Sequence, residues 1–208
     1  MSLSERQEHI QKGLHHLCSY DPKLDEVITS IDSIFSVEKH ENYYEALVRA
    51  IISQQLSVAA ADTIERRLRG LFAENTPTPQ ELLKLSDEEL RRVGISSNKA
   101  GYLKDLAGQI NHGELDLDAL SVAPDDQVTT HLIKVKGIGV WTAQMFLLFC
   151  LGRLDVLPSG DLGIQVGIEQ LYELSERPTP KRVEKIAEDK HWHPYASIAS
   201  WYIWRNKK

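Results

Sequence analysis

Cysteine is scarce, with only Cys18 and Cys150 among 208 residues. A disulfide framework and a four-cysteine metal or iron–sulfur site are thus beyond this chain. Cys150 sits on an apolar helical stripe and reads as packing rather than chemistry. No apolar run approaches the length of a membrane span, and the opening MSLSERQEHIQKGLHHL has no signal-type apolar core. A soluble intracellular protein without a membrane partner is expected. Strand-type alternation, internal repeats and low-complexity tracts are missing too. Positive charge is in deficit, since 24 Lys and Arg against 30 Asp and Glu give a formal net charge of -6. That argues against indiscriminate nucleic-acid binding, yet a local basic face remains open because salt confines distant charges to roughly 8 Å. His191 and His193 flank Trp192 with no further ligand nearby, a poor metal pattern, and no transition metal is expected.

What is present is helical periodicity. Tyr44, Leu47, Val48, Ile51 and Ile52 fall at i, i+3, i+4, i+7 and i+8, so a helix approaches Ser53 with one face buried. A second starts near Ser57 and runs to Phe72, with Ile64, Leu68, Leu71 and Phe72 facing inward. Thr78-Pro79 opens another, and Ser86 with Glu89 forms a capping box on a short helix that Gly94 ends. Leu103, Leu106, Ala107 and Ile110 mark a further amphipathic helix, and residues 4 to 17 and 24 to 34 supply one or two before all of these. Short turns joining such segments predict an all-α fold. The expected architecture is a two-lobed helical bundle with an interlobe cleft, one lobe taking residues 1–53 plus 166–208 and the other 54–165.

The chain is organised around Thr130 to Gly167. Val128, Leu132 and Val135 define one helix and Ala143, Phe146, Leu147, Cys150 and Leu151 another. Only Lys136-Gly137-Ile138-Gly139 lies between them, so the turn is tight, and two glycines supply unusual φ values and an uncovered backbone. Free N–H groups at the start of the second helix suit an anion, and a nucleic-acid phosphate is the natural guest. Lys134 and Lys136 would add sequence-independent attraction, with Arg49, Lys99 and Lys104 as further basic candidates. A plain helix–helix joint is the competing reading for an isolated GxG. Farther on, Pro158-Ser159-Gly160 forms a turn, and Ile164, Ile168, Leu171 and Tyr172 outline a helix behind it. Asp161 therefore stands at a helix N-terminus, where it caps the helix and is held as a fixed carboxylate. The last helix starts at Pro194 and carries Trp201 and Trp204 on one side.

The order KGIGVWTA, then LGRLDVLPSGDLGIQVG, with ISQQLSV, GISSNKAGYLKDLA and HWHPYASIASWYIW outside it, resembles the helix-hairpin-helix DNA glycosylase superfamily. Within it the chain is most similar to the 3-methyladenine DNA glycosylase II branch, over roughly residues 40 to 205, with the hairpin motif at about 125–151. The resemblance implies excision of alkylated purines flipped out of duplex DNA, by a monomer, in a prokaryotic cytoplasm or nucleoid or in a eukaryotic nucleus. It implies Asp161 as the catalytic residue and Trp141, Trp204 and Tyr44 as the base pocket. Gln55, with Leu56 as second choice, would be the wedge that fills the vacated stack. Lys134, Lys136, Gly137, Ile138 and Gly139 would bind phosphate, and the carbonyls of Ile133, Val135 and Ile138 could hold Na+ or K+ as the sole cofactor. An iron–sulfur cluster, usual in the endonuclease III branch, is not expected. Superfamily members that cut the sugar–phosphate backbone have a nucleophilic lysine where this chain has Trp141, so a monofunctional, water-using enzyme follows. Leu162 after the aspartate and Met145 one turn beyond Trp141 depart from the pattern and point to a less aromatic pocket. A catalytically idle damage-binding module and a glycosylase for oxidised or deaminated bases are the alternative readings.

Overall fold

The computed structural model describes residues 3–36 and 42–206. Among the described residues every regular element is helical. They are α1 (Leu3–Tyr20), α2 (Pro22–Ser30), α3 (Tyr43–Ser53), α4 (Val58–Arg69), α5 (Pro79–Lys84), α6 (Asp87–Arg92), α7 (Ser97–Asn111), α8 (Leu117–Val122), α9 (Asp125–Leu132), α10 (Val140–Met145), α11 (Leu162–Tyr172), α12 (Pro180–Asp189) and α13 (Ala196–Arg205). A π turn, Phe146–Cys150, continues α10. Side-chain caps explain why so many short helices start cleanly. Asp21, Asn42, Ser57, Thr78, Ser86, Ser96, Asp116, Asp161 and Thr179 each accept from an N–H in the first turn, worth about 1 kcal/mol apiece. The expected capping box between Ser86 and Glu89 is complete.

Several boundaries differ from expectation. The helix expected over 24 to 34 ends at Ser30, because Ile31 is extended. The last helix starts at Ala196, two residues after Pro194. Leu71, expected inside, is 39% exposed, whereas Phe72 is buried. The α4 helix ends at Arg69, and tighter bonds from Leu71 N–H to Leu68 O and from Phe72 N–H to Arg69 O shift the phase. In the π turn, Phe146, Leu147 and Leu148 are all buried.

The chain divides into two compact units, Met1–Glu38 with Gly152–Lys208 and Lys39–Leu151. The expected divisions after residues 53 and 165 are corrected accordingly. Helix α3 packs on α4, α7 and the π turn, all in the second unit, so it cannot be divided from residues 54 onward. The loop before Asp161 packs with α13 in the first unit.

In the first unit α13 is the central helix, buried from Ala196 to Ile203 and packed on α1, α2 and α11. Its polar anchor is Asp21, fully buried. That carboxylate accepts from Leu24 N–H at 3.2 Å, Trp192 Nε1–H at 2.9 Å and the Tyr172 hydroxyl, which offsets the cost of burying it. Burial pushes the Tyr172 pKa up, with the Asp21 charge adding to the effect. In the second unit α3 is the core helix and α5 and α7 form the most extensive pair. No helix among the described residues is long and apolar enough to cross a membrane.

Candidate functional site

Asp161 is anchored within the first unit. A turn in which Asp161 N–H donates to Pro158 O at 2.9 Å leads into α11. Ser159, itself buried, donates its hydroxyl to Glu184 at 2.9 Å, and Gln165 Nε2 donates to Ser159 O at 3.1 Å. Upstream, Asp155 Oδ1 accepts from Ala196 N–H at 3.2 Å and lies 2.8 Å from His193 Nδ1. Asp155 therefore braces the loop against α13. The carboxylate oxygen Oδ1 of Asp161 accepts from Ile164 N–H at 2.9 Å and from Trp204 Nε1–H at 2.8 Å. Two donors on one oxygen fix the orientation of the group before any substrate arrives.

The indole of Trp204 is expected as an aromatic face, but its nitrogen also steers the carboxylate. Sequence reasoning missed a second participant, Gly163. A Cβ there would lie 3.0 Å from Asp161 Oδ1 and 3.0 and 3.2 Å from Trp204 Cδ1 and Nε1. The second glycine of the GDLG string is the signal for this close approach.

The hairpin lies in the other unit. Gly137 has φ +81°, and a Cβ on it would collide with the Tyr102 ring. Gly139 differs from expectation: its φ is -97°, and a Cβ would meet nothing within 4 Å. Neither backbone conformation nor packing among the described residues demands glycine there. Gly139 is the N-cap of α10 and supplies no side-chain bond to the first turn. Ile138 is buried, and its N–H donates to Val135 O at 3.1 Å. The backbone N–H of Lys136 is already committed, donating to Asp105 Oδ2 at 3.0 Å, and the ammonium sits 3.2 Å from Asp105 Oδ1.

That ion pair is one of several that reduce the expected basic face. Arg49 is bound to Asp62 and Glu65, and Lys104 to Asp87. Lys99 turns inward to the carbonyls of Ile52 and Gln54. Lys134 is exposed and makes no ion pair among the described residues.

The corner after α3 is exposed at Gln55, Leu56 and Val58. Gln55 adopts φ +58°, a left-handed conformation that costs a non-glycine residue about 1 kcal/mol or more. Trp141, on the first turn of α10, is 49% exposed. Tyr44 belongs to the same unit but is buried, and its hydroxyl has no hydrogen-bond partner among the described residues. It lines a cavity of about 500 Å³ together with Asn42, Asp116 and Asp118. Met145 lines a smaller one of about 210 Å³ with Arg49, Ser53 and Phe149. Asp161 and Trp204 thus share one unit by direct hydrogen bond, while Trp141, Tyr44, the hairpin and the Gln55 corner share the other. No cluster of His, Cys, Asp and Glu suited to a metal occurs among the described residues.

Comparison with known proteins gives a consistent result. The family profile described as HhH-GPD superfamily base excision DNA repair protein matches residues 48–192. The DNA-3-methyladenine glycosylase 1 of Schizosaccharomyces pombe is 36% identical, over 83% of this chain and 75% of that protein. The crystal structure of a DNA-3-methyladenine glycosidase from Bacillus halodurans superposes with TM-score 0.83 at 35% identity, covering 93% of this chain and 88% of the other. The S. pombe 3-methyladenine DNA glycosylase in complex with abasic DNA gives the same TM-score, 0.83, at 31% identity, covering 93% and 95%.

Proposed function

Because this chain belongs to the HhH-GPD superfamily of base excision DNA repair proteins, we propose that it hydrolyses the N-glycosidic bond of alkylated purines in duplex DNA. Substrates of the 3-methyladenine and 7-methylguanine type fit best, and a single copy of the chain is the acting unit. The observation that carries the reading is Asp161, a half-buried carboxylate at a helix N-terminus, oriented by Ile164 N–H and by the Trp204 indole.

Breaking the bond from C1' to the base develops positive charge on the sugar. A carboxylate fixed nearby stabilises that charge and orients or deprotonates the attacking water. The alkylated purine is already cationic, so it departs as a neutral base with little need of a proton from the enzyme. One carboxylate then suffices where ordinary glycosidases use two. The aromatic faces of Trp141 and Trp204 would attract the cationic ring through their quadrupoles. Tyr44, buried as it is, would contribute to the wall of the site rather than to a stacking face. Gln55 would fill the gap left by the extruded base, its amide bonding the widowed partner, with Leu56 beside it.

The hairpin backbone at Gly137, Ile138 and Gly139 would receive a DNA phosphate, with Lys134 and Lys136 adding attraction. Val135 O uses only one of its lone pairs, on Ile138 N–H, so the carbonyls of Ile133, Val135 and Ile138 have capacity for a monovalent cation. Such an ion would add positive charge beside the phosphate. Trp141 offers no amine for attack at C1', which supports a hydrolase without strand-cutting activity; borohydride should trap no covalent complex.

The reading is tested by mass spectrometry of bases released from methylated duplex DNA. Release of 3-methyladenine or 7-methylguanine is expected. Binding to methylated duplex without release of any base would favour the idle binding module instead, and release confined to oxidised or deaminated bases would reassign the substrate.

A further inference from the structure

The α7 helix carries Lys99, Tyr102, Asp105 and Gln109 at spacings of three, three and four, which sets them along one helical stripe. The residues between them, Ala100, Leu103, Leu106 and Ala107, are buried core. Lys99, Tyr102 and Asp105 each grip either the corner after α3 or the glycine hairpin, and Gln109 braces Asp105. Lys99 Nζ donates to Ile52 O and Gln54 O, both at 2.7 Å. Tyr102 lies under Gly137, in the space a Cβ would need. Asp105 accepts from the Lys136 N–H and ammonium, and Gln109 Nε2 donates to Asp105 at 2.8 Å. One bond closes the circuit directly, from Gln54 Nε2 to Gly137 O at 2.8 Å.

These contacts have unequal weight. The Lys136–Asp105 pair is largely exposed on the lysine side and is worth little by itself. Lys99 is different. Its ammonium is partly withdrawn from water, burial pulls its pKa below the ordinary lysine value, and it satisfies two carbonyls at the negative end of α3. Those carbonyls bracket Ser53, and the second belongs to the residue immediately before Gln55, which is kept in a left-handed conformation. A charged donor bound to the end of α3 and to Gln54 O, the carbonyl next to Gln55, can maintain that conformation against its intrinsic cost.

We propose that Lys99 is a positioning residue for base extrusion. Through α7 it fixes the distance and orientation between the Gln55 corner and the hairpin, so that gripping the phosphate and inserting Gln55 occur as one rigid-body step. This inference rests on the reading of those two features given above as wedge and phosphate site. It concerns how the site is aligned, and Lys99 itself need touch neither base nor sugar.

The test compares the native chain with Lys99→Met and Lys99→Arg on two oligonucleotides carrying one 7-methylguanine. In the first the lesion is paired in a duplex with 2-aminopurine as its neighbour; in the second it faces an abasic gap and needs no insertion. For Lys99→Met we expect the 2-aminopurine signal of extrusion and the single-turnover rate on the paired substrate to fall about tenfold or more, the scale of one lost charged hydrogen bond. The gapped substrate should be processed at the native rate, and Lys99→Arg should recover part of the loss. Equal losses on both substrates, or none on either, would overturn the proposal. If Lys99→Met does not fold, Gln54→Leu, which removes the bond to Gly137 O, is held to the same paired-against-gapped contrast. Failure of the native chain to release base from either oligonucleotide would count against the glycosylase reading, whereas the fluorescence arm would still decide the role of Lys99.

Discussion

Replacing Gly163 by alanine should separate stability from activity. Gly163 is the second residue of α11, its φ is not left-handed, and alanine there gains at most about 1 kcal/mol in helix propensity. Against that, the new Cβ would stand 3.0 Å from both Asp161 Oδ1 and Trp204 Cδ1, where ordinary contact begins at 3.4 Å. The pair must part by a few tenths of an ångström, enough to stretch the 2.8 Å bond between Trp204 and the carboxylate. Overpacking of this kind costs about 1 kcal/mol or somewhat more, so the melting temperature should change by only a few degrees in either direction. The rate should suffer more, because a displacement of 1 Å can cost about a hundredfold and a smaller one on the order of tenfold. Thermal melting beside single-turnover excision of 7-methylguanine from duplex DNA measures both quantities on one preparation. An unchanged rate, or a rate lost only in proportion to unfolded protein, would refute the idea that the Asp161–Trp204 geometry is set by this glycine.

The remaining predictions concern charge. Since Arg49, Lys104 and Lys136 are paired with acids and Lys99 faces inward, duplex affinity should depend weakly on salt, with a log–log slope of about -1 to -2; a slope steeper than about -4 would show that the ion pairs open on binding. Burial is the largest influence on Asp105 and raises its pKa, but the Lys136 N–H and ammonium together with Gln109 outweigh it, and the net shift is downward. A carboxyl whose folded pKa is depressed contributes stability above its unfolded pKa and loses it as pH falls through the folded value. Asp105→Asn should therefore cost about 1 kcal/mol in urea unfolding at pH 7 and nothing well below the carboxylate range, while an equal cost at both pH values would contradict the assignment.

Local features were the most legible in the sequence. Asp161 as a helix cap follows from a Pro-Ser-Gly turn and the apolar spacing behind it, and the buried face of α3 follows from Tyr44, Leu47, Val48, Ile51 and Ile52. What periodicity leaves open is the partner of each face. Trp204 and Asp161 are 43 residues apart, and nothing local announces that an indole N–H meets that carboxylate. Lys99 reads as a surface cation until α3 supplies two carbonyls for it. Leu71 was misplaced because its phase was carried past the end of α4 into a turn with a different period. The two hairpin glycines look alike in sequence, yet one answers to Tyr102 and a positive φ and the other to no residue of its own chain. The division into units was displaced for the same reason, since the segment joining two helices does not say which helix each will pack against.

The most direct measurement is the single-turnover rate of 7-methylguanine release from a one-lesion duplex by the native chain and by Asp161→Asn. Asparagine caps a helix about as well as aspartate and can still accept from Ile164 N–H and Trp204 Nε1–H, so fold and DNA affinity should be preserved. The account predicts a fall of about a thousandfold, the combined scale of lost charge stabilisation and lost general-base help. A variant that excises at the native rate would show that the carboxylate of Asp161 does not carry the reaction.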